Sequence, residues 1–235
     1  MKAKTEKIAP DKAGARRSSA SEIAVDGIRD KIFMQEYAGG FILTEALLAE
    51  EYDISRGSIR SALFVLEKEG LIATMPNGRR VVLGINEKYV DDLCDIRNVL
   101  ECNALKCCIA SPSVDYTRLA VSLTEFYTAG IVDPEELYLK RARANTGFHR
   151  TLVEIAENRP LMQCWDTIES SLTALAKINY MTLGDSLSEN ELVKSHMMLL
   201  ELIVSRDKRV IDKLSRHVLE AKQDSIDGLK SVGWL

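Results

Sequence analysis

Residues 43–83 read LTEALLAEEYDISRGSIRSALFVLEKEGLIATMPNGRRVVL, and the fold of the whole chain turns on how this stretch is parsed. Thr44 has the chemistry of a helix N-cap, and the residues after it predict a helix with Leu47, Leu48 and Tyr52 on its apolar side. Asp53-Ile54 breaks that pattern. Ser55 caps a second helix with Ile59, Ala62, Leu63 and Leu66 at helical spacing, and Gly70 stops it. Leu71 to Met75 and Arg79 to Leu83 predict two strands around Pro76-Asn77-Gly78, where Asn-Gly supplies the positive φ values of a tight turn. Two compact helices followed by a β-hairpin form a winged helix-turn-helix.

With the four apolar residues of the second helix turned inward, Ser55, Arg56, Gly57, Ser58, Arg60 and Ser61 face outward. Small hydroxyls and guanidinium groups near a helix N-terminus suit the DNA major groove, where Arg reads guanine edges and Ser or the helix end holds phosphate. Arg79 and Arg80 lie just past the hairpin tip, placed for the backbone or the minor groove. Thr44, Ser55, Arg56, Gly57, Ser58, Arg60, Asn77, Gly78 and Arg79 are the candidate DNA-binding residues. An ordinary α-hairpin with two solvated arginines has the same spacing, and the added wing weighs against it.

Upstream, residues 1–18 are rich in Lys and Arg and nearly free of large apolar groups, so a disordered basic arm is expected. Ser19 to Glu22 has the form of a capping box and opens a helix through Ile23, Ile28, Ile32 and Phe33 that ends near Gly39-Gly40. The DNA-binding domain is thus read as residues 19–84. Beyond Gly84-Ile85 the periodicity is helical throughout. Asn86 caps a helix with Val90, Leu93, Ile96, Leu100, Ala104 and Cys107 on one face. A second helix is expected from Ser113 to Ala129, and a third from the Asp133-Pro134-Glu135-Glu136 start signal to about Glu157. A fourth runs from Leu161 to about Thr182. A capping box at Ser188 to Glu191 starts a fifth ending around Ser205, and Asp207 caps the last. Residues 85–235 are therefore expected to form an all-helical bundle of six or seven helices, making the whole chain mainly α.

The chain is long enough for two modest domains. Lys and Arg number 31 against 35 Asp and Glu, a formal net charge of −4. The first 84 residues hold 13 basic and 12 acidic groups, so the acidic excess belongs to the helical part and the first part remains free to approach a polyanion. Five cysteines, odd in number and without a CxxC pair, argue against a disulfide framework or zinc ribbon and for a reducing cytosol. No apolar run is long enough to span a bilayer, and a cytoplasmic protein without a membrane partner is expected.

The three histidines, His149, His196 and His217, each fall in a different predicted helix, and Asn145 lies one turn before His149 on the same face. Three imidazoles and one oxygen donor could form a metal site in the bundle core, although each histidine taken singly is more often a hydrogen-bonded core or surface residue, and spacing does not show that the three converge. Arg97 stands beside the apolar face of the first bundle helix, with Glu101 at i+4. A surface ion pair there is worth only a few tenths of a kcal/mol. A metal-dependent hydrolase would need a base beside the histidines, and no HExxH pair occurs.

The run SRGSIRSALFVLEKEGLI with its Pro-Asn-Gly wing resembles the DNA-binding domain of the GntR family of bacterial transcription regulators. The family pattern carries an Arg where this chain has Ala46. NTGFHRTLVEIAENRPL, SHMMLLELIVSRD and LSRHVLEAK are similar to the helical FCD domain of the FadR subfamily. That resemblance implies a non-enzymatic regulator, a repressor in the commoner mode, acting as a homodimer on palindromic double-stranded operator DNA. Residues 85–235 would then be an FCD-type effector-binding and dimerisation domain. It further implies a divalent metal (zinc, nickel or manganese) held at Asn145, His149, His196 and His217, and a small carboxylate effector held at Arg97 and Asn145. An Asp is expected where Asn145 stands, and a neutral amide oxygen is the weaker ligand. A regulator that senses the metal itself is the alternative.

Overall fold

The computed structural model describes residues 19–111, 113–127, 134–183 and 189–235. The DNA-binding part runs α1 (Ala20–Phe33), β1 (Ile42–Leu43), α2 (Glu45–Tyr52), α3 (Arg56–Lys68), β2 (Ile72–Thr74) and β3 (Arg80–Val82). The caps expected from sequence are made. Ser19 and Glu22 form a reciprocal capping box, Thr44 Oγ1 accepts from Leu47 N, and Ser55 Oγ accepts from Ser58 N. Ile28, Ile32 and Phe33 of α1 join Leu48, Ile59, Ala62, Leu63 and Leu66 in one core.

Several expectations need correction. α1 ends at Phe33, short of Gly39-Gly40, and Ile23 and Leu47 are exposed rather than packed. The sheet has three strands in the order β1-β3-β2, and β1 was not expected. At the wing tip only Gly78 takes a positive φ, +78°. Gly78 N donates to Met75 O and Met75 N to Arg79 O, which is a four-residue turn closed by a left-handed glycine instead of a two-residue Asn-Gly turn.

The remainder is helical: α4 (Glu87–Ala110), α5 (Thr117–Ser122) followed by a 3-10 turn (Leu123–Tyr127), α6 (Pro134–Glu154), α7 (Arg159–Leu183), α8 (Glu189–Val204) and α9 (Val210–Ser231). The described residues of this part hold six α-helices and no strand, so the bundle is of the expected kind. The helix expected over 113–129 is a short α-helix continued by the 3-10 turn. α6 stops at Glu154, before a left-handed Glu157, and Asn158 Oδ1 accepts from Leu161 N at the start of α7. The buried face of α4 is rotated from the expected one. Ile96 is exposed and Cys107 only half-buried, while Cys94, Arg97, Glu101 and Cys108 point inward. Asp207 Oδ1 accepts from Arg209 N just ahead of α9 rather than capping the helix itself. The basic arm and the caps at Asp133 and Ser188 lie outside the described residues.

α7 connects the two parts. It packs on α6 and α9, and its other side reaches α1, where the buried Lys177 Nζ donates to Asp30 Oδ2 at 2.7 Å. Tyr89 of α4 donates to Ser171 Oγ at 3.2 Å and packs edge-on against Phe33. α9 lies close against α7 at Gly228, where any Cβ would run into the Thr182 hydroxyl.

Candidate functional site

The first candidate site is the outer face of α3 with the wing. Ser55, Arg56, Gly57 and Arg60 are exposed and Ser58 is half-buried, because Ile59, Ala62, Leu63 and Leu66 turn the opposite face of α3 into the core. Thr44, Asn77, Gly78 and Arg79 are exposed on the same domain. Arg56 has no ion-pair partner among the described residues. Arg60 makes a two-pronged pair with Glu45, Nε to Oε1 and Nη2 to Oε2, both at 2.8 Å, and Arg80 Nη1 reaches Glu45 Oε1 at 3.3 Å. Glu45, at the head of α2, thus fixes one arginine of α3 and one of the wing, a role the sequence did not reveal. These contacts pull its carboxyl down to about 2, with the Arg60 hydrogen bond the largest cause.

The second lies inside the helical part. α6, α8 and α9 bring His149, His196 and His217 together, with one ring nitrogen of each within 4.8 Å of the others. His149 and His196 are fully buried. His196 Nδ1 lies 2.8 Å from the Leu192 carbonyl oxygen, which can only accept, so Nδ1 holds the proton. His149 Nδ1 lies 2.6 Å from Glu101 Oε2 and donates to it in the same way. Burial, before any neighbouring charge, pushes all three histidines down, His196 to about 4 and the other two well below the ordinary range. The rings are therefore neutral at neutral pH. The Nε2 atoms of His149 and His196 then face each other 3.2 Å apart as two bare lone pairs, an arrangement a cation between them relieves.

Asn145 Oδ1 is buried without a hydrogen-bond partner among the described residues, and Asn145 and His217 both line a cavity of about 310 Å³ between α6, α7, α8 and α9. Three neutral imidazoles and one orphaned amide oxygen fit a divalent ion, so the donor set is compatible with a metal despite the missing carboxylate. Glu101 supplies the nearest negative charge through His149. A carboxylate behind a metal-binding imidazole orients the ring and raises its basicity.

Arg97 does not lie on the cavity wall. Its Nε donates to Glu101 Oε1 at 2.6 Å, and both residues are buried, so the i,i+4 pair is an interior one and not the surface pair weighed against a ligand role. Its Nη2 is buried and unpaired, and its charge is felt by Tyr180 and His217, which do line the cavity. Sequence reasoning missed Glu101 as a histidine partner, and missed Asn179, Tyr180, Glu220 and Asp224 on the cavity wall. Only the i,i+4 spacing from Arg97 hinted at Glu101.

A winged helix-turn-helix joined to a helical domain with a histidine cluster beside a cavity defines a class of DNA-binding transcription regulator. The profile described as "Bacterial regulatory proteins, gntR family" matches residues 20–82, and that of the FCD domain matches residues 92–221. The chain belongs to the GntR family, as a member with an FCD domain. It is 27% identical over 209 residues to the uncharacterized HTH-type transcriptional regulator YdhC of Bacillus subtilis (strain 168), covering 87% of this chain and 88% of that one. It is 23% identical over 228 residues to the gluconate operon transcriptional repressor of Bacillus licheniformis, covering 94% and 90%. Among solved structures, Lar, which controls expression of the Listeria monocytogenes agr system, superposes with a TM-score of 0.66 at 15% identity, over 90% of this chain and 99% of that one. The family is one of transcription regulators rather than enzymes. No described helix is long and apolar enough to cross a membrane.

Proposed function

We propose that this regulator is a homodimeric repressor that binds a palindromic operator and releases it when a small organic acid enters the cavity beside a bound divalent metal. The observation that supports this best is the buried histidine cluster with its orphaned Asn145 oxygen, opening on a cavity of about 310 Å³, at the small end of the metabolite-site range. His149, His196, His217 and Asn145 would hold the metal. A divalent ion among neutral ligands keeps its charge and supplies a Lewis-acidic anchor for a carboxylate. Arg97 stands behind the wall, and its charge, felt by His217 and Tyr180, favours an anion in the cavity. The DNA would be met by Ser55, Arg56, Gly57, Ser58 and Arg60 of α3, with Thr44 at the head of α2 and Asn77, Gly78 and Arg79 at the wing.

α7 supplies a physical link between the sites. Ala176, Asn179 and Tyr180 line the cavity, and Lys177, between them in sequence, is tied to Asp30 of the DNA-binding part. A ligand that tilts or stiffens α7 changes how α1 is held. It shifts DNA affinity by as much as it prefers one arrangement over the other.

Metal analysis of the purified protein and of a His149→Ala/His196→Ala variant tests the centre. Near-stoichiometric metal lost in the variant is the expected result. No uptake of zinc, nickel or manganese by the native protein overturns it. Operator binding by the metal-loaded protein, with and without organic acids, then tests the effector. Release of DNA by metal alone would instead make the ion the signal.

A further inference from the structure

We infer that the effector carries hydrogen-bond donors, hydroxyl or ammonium groups, along the carbon chain beyond the carboxylate that meets the metal. This inference rests on the reading of the cavity as an organic-acid site and names the class of acid.

The cavity wall is rich in acceptors. Asn179 Nδ2 donates to Ser225 Oγ at 2.7 Å and to the Ala221 carbonyl at 3.5 Å. Ser225 spends its own proton on that same carbonyl at 2.7 Å, so Ser225 Oγ can only accept from Asn179. A flipped amide would set its oxygen against two acceptors, which fixes the orientation of the side chain. Asn179 Oδ1 is consequently a true acceptor, buried and unpartnered, on a residue that lines the cavity. Ser195 Oγ donates to the Leu192 carbonyl at 2.8 Å, leaving only lone pairs for a ligand. Glu220 and Asp224 stand exposed at the rim, and neither has an ion-pair partner among the described residues. Among the described residues no Lys or Arg lines this cavity.

A plain aliphatic acid would satisfy none of these acceptors and would leave Asn179 Oδ1 without a partner. A polyhydroxy acid answers Asn179 and Ser195 with its hydroxyls, and an amino acid answers Glu220 and Asp224 with its ammonium group. Both share the donor-bearing chain, and the charge at the rim tells them apart.

The test is calorimetric titration of the full-length, zinc-loaded protein with four six-carbon probes: gluconate, 6-aminohexanoate, hexanoate and glucitol. Gluconate or 6-aminohexanoate should bind about tenfold or more tighter than hexanoate. Asn179→Leu should erase the margin for gluconate. Glu220→Gln/Asp224→Asn, confined to exposed positions, should erase it for 6-aminohexanoate. Hexanoate binding as tightly as the other acids overturns the inference and leaves the organic-acid reading standing. Glucitol binding as tightly as gluconate overturns the organic-acid reading while keeping the need for donors. Failure of all four to bind overturns both.

Discussion

Replacing Glu101 by glutamine separates two tasks that its buried carboxyl performs at once. One oxygen accepts from His149 Nδ1 and the other from Arg97 Nε, each at 2.6 Å. Glutamine keeps the shape but has a single oxygen, so one partner must face an NH₂ group, donor against donor. If the oxygen stays with Arg97, His149 loses its acceptor and the orientation of its ring. Loss of such a partner behind a metal ligand weakens metal binding by about 10- to 100-fold. If it stays with His149, a buried guanidinium loses its counter-charge, and the unloaded protein is destabilised by about 3 to 5 kcal/mol. Thermal unfolding without metal and zinc titration against a competing chelator measure the two effects separately. An Arg97→Gln/Glu101→Gln variant removes the stranded charge and should recover the stability lost in the second case. Zinc affinity and stability both unchanged in Glu101→Gln would refute the double role of the Glu101 carboxyl.

Asn145→Asp adds the missing negative charge beside the three imidazoles and should raise zinc affinity by about tenfold, read in the same chelator competition; a weaker site would mean that residue 145 is not a ligand. Lys177→Met should leave metal and operator binding intact yet shrink the effect of ligand on DNA affinity by about fivefold or more in fluorescence anisotropy, because the link from α7 to Asp30 is gone. An undiminished response would exclude that route. The Glu45 carboxyl titrates near 4.5 when unfolded and near 2 when folded, held down chiefly by Arg60. A depressed carboxyl contributes stability that is complete above the higher value and lost as pH falls through the lower one. Glu45→Gln should therefore flatten the acid-unfolding profile between about pH 4.5 and 2, and a profile as steep as the native one would show that the pair does not hold in solution.

The parts of this molecule legible in the sequence are those written in neighbouring residues. Ser19 with Glu22, Thr44, Ser55 and Asn86 announce their helices because capping is a contact over three positions. Ile59, Ala62, Leu63 and Leu66 give away the inner face of α3 for the same reason. β1 escaped because its two residues pair with Val81 and Arg80, far along the chain, and only that pairing makes them a strand. α4 was turned the wrong way because hydrophobic periodicity prefers Ile96 to Arg97 as an inward residue. A charged pair at i,i+4 looks the same on a surface as in a core. The histidines were marked as a group by resemblance, whereas their convergence depends on how α6, α8 and α9 cross. Asn179 gave no signal at all, since its role depends on a serine and a carbonyl of another helix.

The interleaving of α7 bears on how such a regulator diversifies. Positions 176, 179 and 180 line the cavity, while 177 is bonded to Asp30 of the DNA-binding part. Recognition and transmission are thus written on one rigid rod in different letters. On the proposed function, redesign of the first set would re-address the protein to a new metabolite without erasing the wiring, which makes these three positions the natural ones to randomise when a biosensor is sought.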